Sequence, residues 1–278
     1  MASDDDDPVR RSWNVATRNH NAHKGDQAAR LAAGEELLFE EELALLGDLE
    51  GRTLVHLQCN SGQDSLCLAR LGARVTGVDL SDEAIAFAQG LSERSGIPAT
   101  FVRSELVAWM EQTEQRFELA FASYGAVGWL PDISAWARGV ARILVPGGRL
   151  VYVEFHPLVW SFGDDQRLCR DDYFQREPFI EPVGDYVADS GDALGAIGSQ
   201  PRGHNDIDAP SWQWTFADVL DALAQAGLVI ERVQEYPWSN GCRVNPGLVR
   251  LEGTRRWVWP EGVARVPLMF GIRARRPL

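Results

Sequence analysis

Cysteine is scarce in this chain, four in 278 residues, and Cys59, Cys67, Cys169 and Cys242 contain no C-x-x-C pair. That spacing predicts neither a zinc site nor a disulfide framework, and it is the pattern of reduced thiols in a cytosolic protein. Basic charge is also short: 27 Lys and Arg stand against 40 Asp and Glu, for a net charge of -13. Phosphate backbones are held by clustered Lys and Arg, so nucleic acid is not an expected partner. No apolar run approaches the roughly 20 residues needed to cross a bilayer. The opening MASDDDDP has no apolar core of the kind a secretory signal carries. The expectation is therefore a soluble, cytoplasmic protein without a membrane partner, with residues 1–8 a disordered acidic run. What is abundant is apolar residue, 45% of the chain, enough to fill the core of one large domain over 9–278.

The densest signal runs from Leu54 to Asp79, LVHLQCNSGQDSLCLARLGARVTGVD. An apolar strand, Leu54 to Leu57, enters a turn of small and polar residues ending in Gly62. A helix from Asp64 to Leu71, a Gly72-Ala73 turn and a second strand, Arg74 to Val78, follow, and that strand stops at Asp79. Strand, turn, helix, strand and a terminal carboxylate open a doubly wound nucleotide-binding sheet, in which the carboxylate accepts from a ribose diol. Of the three glycines in G-x-G-x-x-G that let amides approach a pyrophosphate, only Gly62 remains. A dinucleotide, and with it a nicotinamide-dependent oxidoreductase, is disfavoured. Gln58 and Asn60 stand at the other two positions and offer side-chain amides to a zwitterion.

On this HLQC-x-x-GQD segment the chain resembles the class I S-adenosylmethionine-dependent methyltransferases, as a variant met among bacterial small-molecule enzymes. His56 takes the place of the acidic residue that usually opens the motif. The resemblance implies a Rossmann-like, doubly wound, seven-stranded, mostly parallel sheet with an antiparallel last strand. It covers roughly residues 50–155 and 212–278.

The remaining periodicity agrees. Val9 to Leu46 reads as helices broken near Lys24 and Gly25, with Leu31, Leu38, Leu45 and Leu46 at helical spacing, and 9–49 is expected to form an N-terminal cap. Ser81 is a helix N-cap, strand three is Ala99 to Arg103 and strand four is Leu119 to Ser123. A helix from Ile133 to Leu144 is followed by Pro146-Gly147-Gly148, which is expected to turn the chain into strand five, Arg149 to Phe155. Residues 156–211 break the rhythm, and an insertion of that length is usually a functional lid. Thr215 to Ala226 reads as a helix, Leu228 to Gln234 as strand six and Val266 to Ala274 as strand seven.

The resemblance places S-adenosylmethionine across the strand ends. Asp79, with Leu80 beside it, is the ribose site, and Glu105, with Leu106, is the adenine site closing strand three. Gln58, Asn60, Gly62, Gln63, Asp64 and Ser65 would hold the methionine portion, with Asp64 and Ser65 readable instead as simple caps. Ser123 and Tyr124 follow strand four, where cofactor and acceptor meet: Ser123 is assigned to the cofactor, and Tyr124 either lines the transfer site as a catalytic partner of His156 in relaying the proton or simply packs. His156, in EFHP after strand five, is a candidate general base, or else a residue that orients the lid. Trp13, Asn14, Thr17, His20 and Lys24 fall on related helix faces. Asn14 and Thr17 are assigned to the cofactor, and Trp13, His20 and Lys24 to the substrate. Trp212, Trp214 and Asn240 add walls suited to a small polar or cationic ligand. His20 and His23 are spaced to share a metal with His156 or His204, but no carboxylate spacing supports it, and no metal is expected. Eleven acidic residues against four Arg between Asp164 and Asp208 either attract a basic substrate or are simply solvated.

The expected activity is methyl transfer to nitrogen or oxygen of a small polar metabolite. A carbon or sulfur acceptor, or a catalytically silent S-adenosylmethionine-binding protein, are the alternatives, and the reading leaves room for a homodimer.

Overall fold

The computed structural model describes residues 7–163, 167, 171–198 and 201–278. Most of the acidic N-terminal run, as well as Cys169, Asp164 and Asp165, lie outside the described residues. Asp7 and Pro8 do not belong to a disordered tail: the Asp7 carboxylate accepts from Val9 N at 2.9 Å and caps a helix with Pro8 at its first position.

Seven strands form the central sheet, β1 (Thr53–Leu57), β2 (Arg74–Asp79), β3 (Thr100–Arg103), β4 (Phe117–Ser123), β5 (Leu144–Phe155), β8 (Val229–Tyr236) and β12 (Met269–Arg275). Their spatial order is β3-β2-β1-β4-β5-β12-β8. The first five are parallel, and β12 runs antiparallel to both β5 and β8. Strand order reverses between β1 and β4, and at that point a doubly wound sheet opens a crevice at its carboxyl edge.

Helices cover both faces. On one lie α2 (Gln27–Ala32), α3 (Glu40–Leu46), α4 (Gln63–Arg70) and α5 (Asp82–Ser95), over a core that includes Leu54, Phe121, Val151 and Val153. On the other lie α6 (Leu106–Gln112), α7 (Ile133–Ile143) and α9 (Phe216–Gln225), over Val55, Leu57, Ala122 and Tyr152. Neighbouring strand residues thus belong to opposite cores, as the pleat requires when both faces are buried. Trp136 and Val140, four residues apart on α7, are both fully buried.

Two expectations needed correction. Strand β5 begins at Leu144, before Pro146-Gly147-Gly148, because Leu144 pairs with Phe117 and the ladder resumes at Leu119–Arg149 after a register shift. The chain between β8 and β12 is not a plain return: it carries β9 (Ser239–Asn240), β10 (Val249–Arg250) and β11 (Arg256–Val258), a three-stranded sheet of its own. The insertion after β5 holds a hairpin of β6 (Phe179–Pro182) with β7 (Asp208–Ser211) and the short helix α8 (Tyr186–Ser190). The N-terminal helix α1 (Pro8–Ala22) rests on α5 and on this insertion, with Ser12 bonded to Val183 N and to Asn205. Among the described residues no helix is long and apolar enough to cross a membrane.

Candidate functional site

A cavity of about 550 Å³ lies at the carboxyl edge of β1, β2, β4 and β5, roofed by α1, α2 and α3 and closed by the insertion and by β9. That volume is in the range of small-molecule sites.

The turn after β1 forms its floor. Gln58 and Asn60 are the two non-glycine residues with left-handed backbones among the described residues, at φ of 53° and 47°. A left-handed conformation strains a side-chain-bearing residue, Asn least, so the turn keeps a glycine-like path while carrying two amides. The Gln58 Nε2 donates to Ala126 O at 2.7 Å and ties this turn to the loop after β4; its Oε1 is buried without a partner. Gly62, at φ 78°, caps α4, and an added Cβ there would meet the Ala88 Cβ at 2.7 Å.

Asp79 ends β2 and faces the cavity while only 7% exposed. Its carboxylate accepts from Asn60 N at 2.8 Å and Ser81 N at 2.9 Å. Burial pushes its carboxyl up to about 6 against these donors. His56, beneath the turn, is bonded through Nδ1 to Ser65 Oγ at 2.8 Å; burial lowers it to about 3 and keeps it neutral.

Seating the cap on this floor is an amide network that residue-by-residue reading missed. Asn21 donates to Ser61 Oγ at 2.8 Å, and Gln63 donates to Gln27 Oε1 at 2.7 Å and to Asn21 Oδ1 at 3.2 Å. Lys24, the single lysine of the chain, and Asp64 both face the cavity. Among the described residues neither makes a side-chain hydrogen bond or ion pair. Burial lowers Lys24 to about 8 and raises Asp64, each opposed by the other's charge. His20 faces the cavity with Nε2 on Gly184 O at 3.0 Å, and burial lowers it to about 4. The Nε2 of His23 pairs with Asp185 at 2.7 Å and clips α1 to the insertion. Among the described residues no cluster of three metal-ligating side chains occurs.

Beyond the turn, Tyr124 stacks on Phe155 at 5.1 Å and accepts from Asn240 Nδ2 at 3.0 Å, with its hydroxyl beside the Glu42 carboxyl. Glu154, buried in β5, accepts from Gly125 N, Ala126 N, Phe155 N and Tyr152 OH, which fixes the loop after β4. Trp13 meets Trp129 edge-on at 5.4 Å, and Trp212 and Trp214 complete an aromatic wall.

The cavity therefore gathers Trp13, His20, Lys24, Gln58, Asn60, Gln63, Asp64, Asp79, Leu80, Ser123, Tyr124, Trp212, Trp214 and Asn240 from the expected set. Seven others stand outside its lining. Asn14 bonds Ser81 Oγ at 2.6 Å and Asp82 at 3.1 Å, joining α1 to α5. Thr17, Gly62 and Ser65 are buried in the packing beneath. Glu105 spends both carboxylate oxygens on Val107 N and Ala108 N as the cap of α6, and Leu106 is core. His156 points to the opposite side, against Phe216 and Phe270; its Nδ1 accepts from Leu158 N and its Nε2 pairs with Glu235 at 3.1 Å. With both ring nitrogens engaged it has no lone pair for a substrate proton. Glu42 was missed, although it stands three and four residues before Leu45 and Leu46, on the buried stripe of an otherwise acidic helix.

Residues 55–148 match the family model described as a methyltransferase domain. The ubiquinone biosynthesis O-methyltransferase of Methylobacterium sp. (strain 4-46) is 35% identical over 115 residues, 41% of this chain and 45% of that protein. An uncharacterised methyltransferase of Synechocystis sp. is 32% identical over 132 residues, 46% of this chain and 59% of its own. The chain thus spans about half the length of the curated relatives it matches. In structure it is similar to an S-adenosylmethionine-dependent methyltransferase from Mesorhizobium loti, with a TM-score of 0.55 at 20% identity over 88% of this chain and 100% of that one. Another, from Clostridium acetobutylicum, gives 0.58 at 13% identity over 94% and 99%. These two likenesses are of fold.

Proposed function

Residues 55–148 form a methyltransferase domain of the class I, S-adenosylmethionine-dependent type, and on that premise we propose that the protein transfers a methyl group to a nitrogen or oxygen of a small metabolite. The observation that carries the reading is the pairing, on one cavity floor, of the buried Asp79 carboxylate with the partnerless Oε1 of Gln58. A ribose diol needs the first and an ammonium group the second. S-adenosylmethionine, when bound, supplies a methyl group made electrophilic by its sulfonium.

The chain's own residues do the rest. Asp79 accepts from the ribose hydroxyls, held in place by Asn60 N and Ser81 N. Gln58 and Asp64 take the ammonium and Lys24 the carboxylate of the methionine portion, which would satisfy groups otherwise left bare in a buried wall. Tyr124, fixed by Asn240 and stacked on Phe155, positions the acceptor. The tryptophan wall excludes water, so alignment and desolvation supply most of the rate.

Calorimetric titration of S-adenosylmethionine and S-adenosylhomocysteine into the wild type and Asp79→Ala tests the reading. Micromolar binding that disappears in the variant is expected, with retention of the folded-state circular dichroism. Absence of binding by the wild type would overturn it.

A further inference from the structure

Glu42 is the cavity group that the cofactor reading leaves unused. It is 1% exposed, projects from α3 and shares the cavity with Tyr124 and Asn240. One carboxyl oxygen accepts from Phe39 N at 2.7 Å, and the Tyr124 hydroxyl faces the carboxyl across the cavity wall. Tyr124 OH receives the Asn240 Nδ2–H at 3.0 Å, which leaves its own proton available to the carboxyl beside it. The neighbouring Glu41 is compensated, by Arg256 at 2.6 Å and Trp238 Nε1 at 2.9 Å, so Arg256 is committed elsewhere. Asp64 and Glu41, both acidic, act on Glu42, and although Lys24 and Arg255 line the same cavity, Glu42 forms no ion pair among the described residues. A buried carboxyl among carboxyls, beside aromatic walls, suits an ammonium and repels an anion.

We propose that Glu42, oriented by Tyr124, binds the methyl acceptor as a protonated amine and takes its proton, so that the acceptor class is a primary or secondary amine. This rests on the methyltransferase reading above. An ammonium N–H bond breaks, its electron pair stays on nitrogen, and the proton passes to the Glu42 carboxylate; the freed lone pair would form the new N–C bond as the methyl–sulfur bond breaks, its pair leaving on sulfur as S-adenosylhomocysteine. Burial and Asp64 raise the free Glu42 carboxyl to about 8, so an arriving cation expels its proton to solvent near neutrality.

The test uses full-length protein saturated with S-adenosylhomocysteine and three probes of one shape, benzylamine, benzyl alcohol and benzoate. Calorimetry at about pH 7 in two buffers of different ionisation enthalpy counts protons exchanged. Benzylamine is expected to bind in preference to both others and to release close to one proton. Glu42→Gln is expected to abolish that release and weaken benzylamine at least about tenfold, as loss of a charge-assisted hydrogen bond does, with S-adenosylhomocysteine affinity unchanged. Tyr124→Phe, which removes only the orienting hydroxyl, should weaken benzylamine less and retain proton release, and it serves if Glu42→Gln does not fold.

Equal benzylamine binding by Glu42→Gln, stronger binding of benzoate or benzyl alcohol, or no amine binding by the wild type would overturn the proposal. So would a loss confined to S-adenosylmethionine in Glu42→Gln, which would assign Glu42 to the sulfonium. Failure of the wild type to bind S-adenosylhomocysteine would instead remove the methyltransferase reading itself.

Discussion

Replacing Glu42 by Gln should make the protein more stable, and the gain should depend on pH. Burial and Asp64 hold the Glu42 carboxyl protonated up to about 8 in the folded chain, whereas an ordinary Glu ionises near 4.5. Between those values the folded state binds more protons than the unfolded, so stability falls as pH rises, by about 1.4 kcal/mol per pH unit. By pH 7 the accumulated penalty is on the order of 3 kcal/mol. Gln never ionises, and it can still accept from Phe39 N and Tyr124 OH, so the penalty is absent in the variant. Urea unfolding followed by tryptophan fluorescence should give coincident curves near pH 4 and a variant ahead by about 2–4 kcal/mol at pH 7 to 8. In a chain of this size that is roughly 5–10 °C in Tm. A variant equal to or weaker than wild type across the whole pH range would show that the carboxyl is ionised and compensated in the folded protein, and the argument for its raised proton affinity would fail.

Gly62→Ala should destabilise by about 2–4 kcal/mol, since the residue must keep φ 78° and its new Cβ would press on Ala88 at 2.7 Å and Phe101 at 2.9 Å; a loss under about 1 kcal/mol in urea unfolding would show that the turn relaxes freely. Asp185→Ala removes the acceptor of His23 Nε2 and Gly203 N, both at 2.7 Å, so trypsin should cut the insertion at Arg176 or Arg202 faster while the core keeps its circular dichroism; unchanged cleavage would mean this clip does not hold the insertion. His156→Ala should lower stability by about 1–3 kcal/mol through the lost Leu158 N and Glu235 contacts, yet leave S-adenosylhomocysteine affinity unaltered. A marked loss of that affinity would put His156 back in the site.

The turn that floors the cavity was legible because its signals are local. An apolar run, a single glycine before a helix and a carboxylate at the next strand end are each fixed by neighbours within a few positions, and Gln58, Asn60 and Asp79 followed from them. Errors came where a distant partner decides. Position after β5 suggested that His156 reaches the crevice, but the side of the sheet it faces is set by packing against Phe216 and Phe270, more than 50 residues away in sequence. Glu105 is a different case, for its partners are local: at the strand end it caps α6 through Val107 N and Ala108 N, two and three residues on, and it lies outside the cavity lining. Glu42 sits in an acidic stretch that reads as a solvated face, and its place one turn before Leu45 and Leu46 on the buried stripe separates it from Glu40, which is exposed. Strands of two or three residues, as in β9 to β11, are too short to show any period.

The cavity walls have a consequence for synthesis on the ribosome. The roof comes from residues 8–46, whereas the pieces that cover it, the Val183–Gly184 stretch, Trp212 and Asn240, come from the second half of the chain. Domains generally acquire structure as they emerge, and β1 to β5 complete a parallel sheet by Phe155. At that stage Trp13, His20 and Glu42 have no lid over them and Glu42 lacks the Asn240 that orients its tyrosine. The floor of the cavity is therefore synthesised well before the residues that cover it, and the chamber has its full set of walls only after Asn240 of β9 has been made.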